Sequence, residues 1–115
     1  MIFVSLVLAA ATAAYQPRPL SPSEKADIMR QADELMFDGP ATRWQWPERR
    51  SATFYCGKLN GKNRLGAYTG WRLFYVSKGQ FSIVEKEGSV YEGLCGAYGY
   101  YPKPQWLLDA DKTAK

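Results

Sequence analysis

Histidine is absent from all 115 residues of the chain. That absence removes the commonest general base, the commonest metal ligand and the histidine-activated serine and cysteine nucleophiles. Cysteine is scarce: only Cys56 and Cys95 occur, too few for a four-ligand zinc centre. No apolar run reaches the ~20 residues that a membrane-spanning helix requires, because Gln16-Pro17-Arg18-Pro19 interrupts the N-terminal stretch. Acidic side chains are nearly missing from the middle, where residues 40–84 carry eight basic groups against Glu48 alone. What is present is a 46% apolar and 15% aromatic composition, enough for a core, so the chain is not disordered by composition. At this length one compact domain is expected.

The first fourteen residues carry no charged side chain and run from the apolar Ile2–Leu8 into Ala9-Ala10-Ala11-Thr12-Ala13-Ala14. They read as a secretory signal peptide over residues 1–13, with cleavage after Ala13 or Ala14. A single domain over residues 14–115 would follow, exported to the periplasm or beyond, with no transmembrane segment once the signal is removed. In an oxidising compartment an isolated cysteine pair is most simply one disulfide, Cys56 to Cys95. Closing a loop of about forty residues contributes roughly 4 kcal/mol by chain entropy.

Ser21-Pro22-Ser23-Glu24 combines an N-cap serine, a proline at the first helical position and a capping-box glutamate. An apolar stripe through Ile28, Met29, Ala32, Leu35 and Met36 predicts a helix from about Pro22 to Phe37, stopped by Asp38-Gly39-Pro40. Ser51–Cys56, Trp71–Val76 and Gln80–Glu85 are rich in aromatic and β-branched residues and read as strands. Ser77-Lys78-Gly79 is short enough for a hairpin, and a second short connection, Lys86-Glu87-Gly88, leads to Ser89–Glu92, which reads as a fourth strand. Both connections are too short for parallel crossovers, so the pairing is antiparallel. Tyr98–Pro104 reads as ordered irregular chain, and Trp106-Leu107-Leu108 as a final helical turn. The fold class is therefore α+β: an N-terminal amphipathic helix packed on a small antiparallel sheet of about 3–5 strands, with one disulfide.

Between the first two strands, glycines at 57, 61, 66 and 70 and asparagines at 60 and 63 suit a structured loop. Spacing rules out a phosphate-binding P-loop, since only three residues separate Gly57 from Gly61 and Lys62 is followed by Asn63. Cys56, Gly57, Asn60, Lys62, Asn63, Gly66, Tyr68, Gly70 and Trp71 form a pattern that resembles a motif of small exported, mostly proteobacterial, proteins of unknown function. Leu65 departs from it, standing where a small or aromatic residue is expected. The resemblance implies an exported bacterial protein and transfers no catalytic residue.

The +4 net charge divides into a +7 middle, residues 40–84, between mildly acidic ends. Lys58, Asn60, Lys62, Asn63, Arg64, Tyr68, Trp71 and Arg72 are the candidate binding residues, because cations interleaved with aromatics attract anions and offer stacking faces. The partners this suggests are an anionic glycan, a lipid headgroup or an acidic protein. Nucleic acid would suit the charge, but no nucleic-acid-binding motif occurs and export sets it aside. Five of the eleven acids, Glu24, Asp27, Asp33, Glu34 and Asp38, lie in the expected helix or at its stop, and Glu48 stands beside Arg49 and Arg50, which favour its ionised form rather than a general acid. No metal, cofactor or catalytic set is implied. The expected function is a non-catalytic binding module of the cell envelope. The alternatives are an inhibitor of a cell-wall hydrolase such as lysozyme, or a carboxylate-dependent envelope hydrolase.

Overall fold

In the computed structural model, residues 15–85 and 88–113 are described. Residues 1–13, read from the sequence as a signal peptide, lie outside them. Among the described residues the fold is α+β, with three α-helices and a four-stranded antiparallel sheet whose spatial order follows the sequence. The strands are β1 (Arg43–Gln45), β2 (Phe54–Asn60), β3 (Arg72–Ser77) and β4 (Gln80–Ile83). The helices are α1 (Pro22–Asp33), α2 (Val90–Ala97) and α3 (Gln105–Thr113).

Helix α1 starts where the capping box places it: Ser21 Oγ accepts from Glu24 N, and Glu24 Oε1 accepts from Ser21 N at 2.9 Å. Although α1 starts at the expected Pro22, it is not N-terminal among the described residues: an extended segment precedes it and pairs Arg18 with Arg49 through two backbone hydrogen bonds. Its end is also earlier than expected. Glu34 caps it, and Leu35 and Phe37 are exposed rather than part of a buried stripe.

Strand β2 lies between β1 and β3 and is covered on both faces. Alternation along a strand puts Tyr55, Gly57 and Leu59 on one side and Phe54, Cys56 and Lys58 on the other. The first side joins Phe74, Val76 and Phe81 with Ile28 and Ala32 of α1 in the core. Trp44 stacks on Trp46 at 4.7 Å and meets Phe74 edge-on at 5.4 Å. Gly57 belongs to this strand and not to the loop expected from its sequence. A Cβ there would stand 2.5 Å from the Phe74 ring and 2.8 Å from the Gln45 carbonyl oxygen. On the second side Cys56 is bonded to Cys95 of α2, the expected disulfide.

Ser89–Glu92 is not a strand. Ser89 caps α2, its hydroxyl accepting from Glu92 N, so the fourth strand of the sheet is instead β1. The turn Lys78-Gly79 joins β3 to β4 as expected, and Tyr98–Pro104 is irregular but ordered. Tyr100 holds that irregular segment in place: its buried hydroxyl donates to Phe54 O at 2.7 Å and accepts from Arg50 N at 2.9 Å. The expected final turn at Trp106 extends into the full helix α3.

Candidate functional site

The β2–β3 connection is a second, smaller hairpin built by asparagine side chains. Asn63 Oδ1 accepts from Leu65 N and Ala67 N, at 3.0 and 3.1 Å, which folds the tip over one side chain. Lys62 and Tyr68 face each other in an antiparallel bridge, and Asn60 Oδ1 accepts from Gly70 N at 3.0 Å to close the base. Both asparagines read from the sequence as binding residues are thus engaged by the loop's own backbone. Tyr68 is occupied as well. Its hydroxyl donates to Ala41 O at 2.9 Å, pinning the hairpin to the 3-10 turn at Gly39–Ala41.

The cations around this hairpin remain available. The Arg43 guanidinium lies 3.9 Å from the centre of the Tyr68 ring, and Lys62 Nζ lies 5.3 Å from it, so two positive groups share one aromatic. Arg64 stands over Phe37 at 5.8 Å. No carboxylate among the described residues forms an ion pair with Arg43, Lys62 or Arg64. At the tip Leu65 is 92% exposed, and Phe37 beside Arg64 is 63% exposed. Arg43 and Phe37 were missed as site residues because only the register of β1 on Asn60 and the close of α1 bring them to the hairpin.

Lys58, Trp71 and Arg72 do not join this cluster. They line an open cleft of about 480 Å³ with Leu73, Glu85, Glu92 and Tyr101, among others. The disulfide and a close approach at Gly96 build the far wall of the cleft. A Cβ on Gly96 would stand 2.9 Å from Lys103 Cα, so only glycine lets the Pro102–Pro104 segment lie against α2. Lys58 Nζ sits 4.6 Å above the Tyr101 ring, and Arg72 reaches Glu85 only at 4.0 Å with both side chains solvated. Glu92 accepts from Trp106 Nε1 at 2.8 Å. Burial pushes the Tyr101 phenol up to about 12, so it remains a protonated donor at neutral pH. Tyr101 and Glu92 carry no local sequence signal as site residues; the disulfide and the irregular segment bring them beside Lys58.

Among the described residues no group of three or more cysteine, aspartate or glutamate side chains could hold a metal ion. None of their helices is long and apolar enough to cross a membrane. Compared with protein-family models, curated proteins and solved structures, the chain matches none.

Proposed function

We propose that this protein is an exported, non-catalytic binding module that holds an anionic partner of the cell envelope against the basic face of the β2–β3 hairpin. The observation that carries the reading is the set of Arg43, Lys62 and Arg64, which have aromatic neighbours and no carboxylate partner among the described residues. Cations already covered by acids would have little left to offer a ligand. These retain their field, and the Asn63 turn and Tyr68 anchor hold them on ordered backbone. Export is supported by the Cys56–Cys95 bond, since disulfides persist in oxidising compartments.

A cation near an anionic surface contributes about 1 kcal/mol, so three together amount to roughly a hundredfold in affinity. The triple variant Arg43→Ala/Lys62→Ala/Arg64→Ala is therefore expected to lose about two orders of magnitude in binding to phosphatidylglycerol vesicles or to a soluble anionic polysaccharide. The two arms separate a lipid source of the charge from a glycan source. Binding by the native protein should fall steeply with salt. Equal binding by native and triple-variant proteins, at an unchanged melting temperature, would remove the hairpin from the interface.

A further inference from the structure

We infer that the cleft beside the disulfide is a separate site for an uncharged saccharide, held through its hydroxyl and amide groups and stacked on Trp71. Its size falls in the range of small-molecule sites. Its charge is balanced: Lys58 and Arg72 face Glu85 and Glu92 around one space. A polyanion entering there meets two carboxylates and a cation meets two basic groups. A neutral polyhydroxylated ligand finds a donor or an acceptor on each side.

Two further features point to an occupant. The Tyr101 hydroxyl is buried, protonated and without a hydrogen-bond partner among the described residues, although such a group ordinarily has one. Trp71 is 46% exposed at the cleft, and its indole stacks on no other ring among the described residues. The other three tryptophans differ: Trp44 and Trp46 stack on each other, and Trp106 is hydrogen-bonded to Glu92. A free indole face beside paired donors and acceptors suits the apolar face of a pyranose ring, whose equatorial hydroxyls then reach the flanking polar groups. The site does not draw on the hairpin cations, so either surface can fail without the other.

Titration with tri-N-acetylchitotriose and cellotriose, followed by tryptophan fluorescence and by the amide and indole signals of the cleft residues, tests this. Saturable shifts confined to Trp71, Lys58, Arg72 and Tyr101 are expected, retained in the hairpin triple variant and lost in Trp71→Ala. Because its hydroxyl has no partner among the described residues, Tyr101→Phe should keep the native melting temperature and weaken sugar binding by about tenfold, the effect of one hydrogen bond. Absence of any shift at millimolar sugar would overturn the proposal. So would shifts that survive unchanged in Trp71→Ala, or a response at the cleft to the anionic polysaccharide or a peptide and not to the neutral sugars.

Discussion

Glu24 shows how much of this chain is settled by one side chain. Its carboxylate closes the N-terminus of α1, accepts a hydrogen bond from Arg18 Nη1 at 2.7 Å and forms an ion pair with Arg49, whose Nε stands 3.2 Å away. The lead-in, the helix and the segment before β2 therefore meet at one charge. The hydrogen bond from Arg18, aided by the one from the Ser21 backbone and by the nearby Arg18 and Arg49 charges, holds Glu24 at about 2 against an ordinary value of 4.5. A folded-state value below the unfolded one gives stability that is fully present above the ordinary value and is lost as pH falls through that window. Glu24→Gln should accordingly cost about 1 kcal/mol at neutral pH, discounted for the partial exposure of the pair, or a drop of several degrees in melting temperature. Thermal melts of both proteins between neutral pH and pH ~2 should converge at the acid end. A gap that persists at the acid end would mean the side chain acts by shape and not by charge. The capping box itself was legible, because Ser21, Pro22 and Glu24 are local signals. The two arginines were not, because nothing in the sequence places Arg49 beside residue 24.

The same division runs through the elements. Antiparallel strands at Trp71–Val76 and Gln80–Glu85, the turn between them and the start of α1 follow from residue type and spacing alone. Ser89–Glu92 misleads because Val90 and Tyr91 favour strands, while the deciding interaction is a single serine hydroxyl on Glu92 N. Gly57 to Asn60 look like loop residues, and they are strand because the flat face of Gly57 admits the Phe74 ring. The β3–β4 turn retains a local conflict. Lys78 has φ 51° and Gly79 φ 82°, a primed turn in which a lysine occupies the left-handed region. Asparagine tolerates that region better than lysine. Lys78→Asn is expected to stabilise the domain by about 0.5 kcal/mol, seen as a rise of a few degrees in the melting temperature. Gln31 holds the turn from α1, donating to Gly79 O at 3.0 Å and accepting from Phe81 N at 3.0 Å. An unchanged or lower melting temperature would show that the lysine conformation carries no cost at this position.

At the scale of the whole molecule, the sheet separates two surfaces that the sequence runs together as one basic centre. The eight residues singled out by composition and spacing divide into Lys62, Arg64 and Tyr68 at the hairpin, Lys58, Trp71 and Arg72 at the cleft, and two asparagines spent on turns. The Tyr68 bond to Ala41 and the long-range disulfide cause that division, and neither can be read from spacing along the chain. The covalent link bears unequally on the two surfaces. Cys95 carries α2, and with it the wall formed by Glu92, Tyr101 and Pro104. The hairpin is held by Asn60, Asn63 and the Tyr68 bond to Ala41, none of which involves α2. Cys56→Ser/Cys95→Ser should lower stability by roughly 4 kcal/mol on the chain-entropy estimate. Where the domain remains folded, hydrogen exchange should quicken in α2 and α3 before it quickens in the hairpin. Tri-N-acetylchitotriose binding at the cleft should then be lost at a denaturant concentration that leaves vesicle binding intact. Parallel loss of both would show instead that the core transmits the break across the sheet and that the two surfaces stand or fall as one unit.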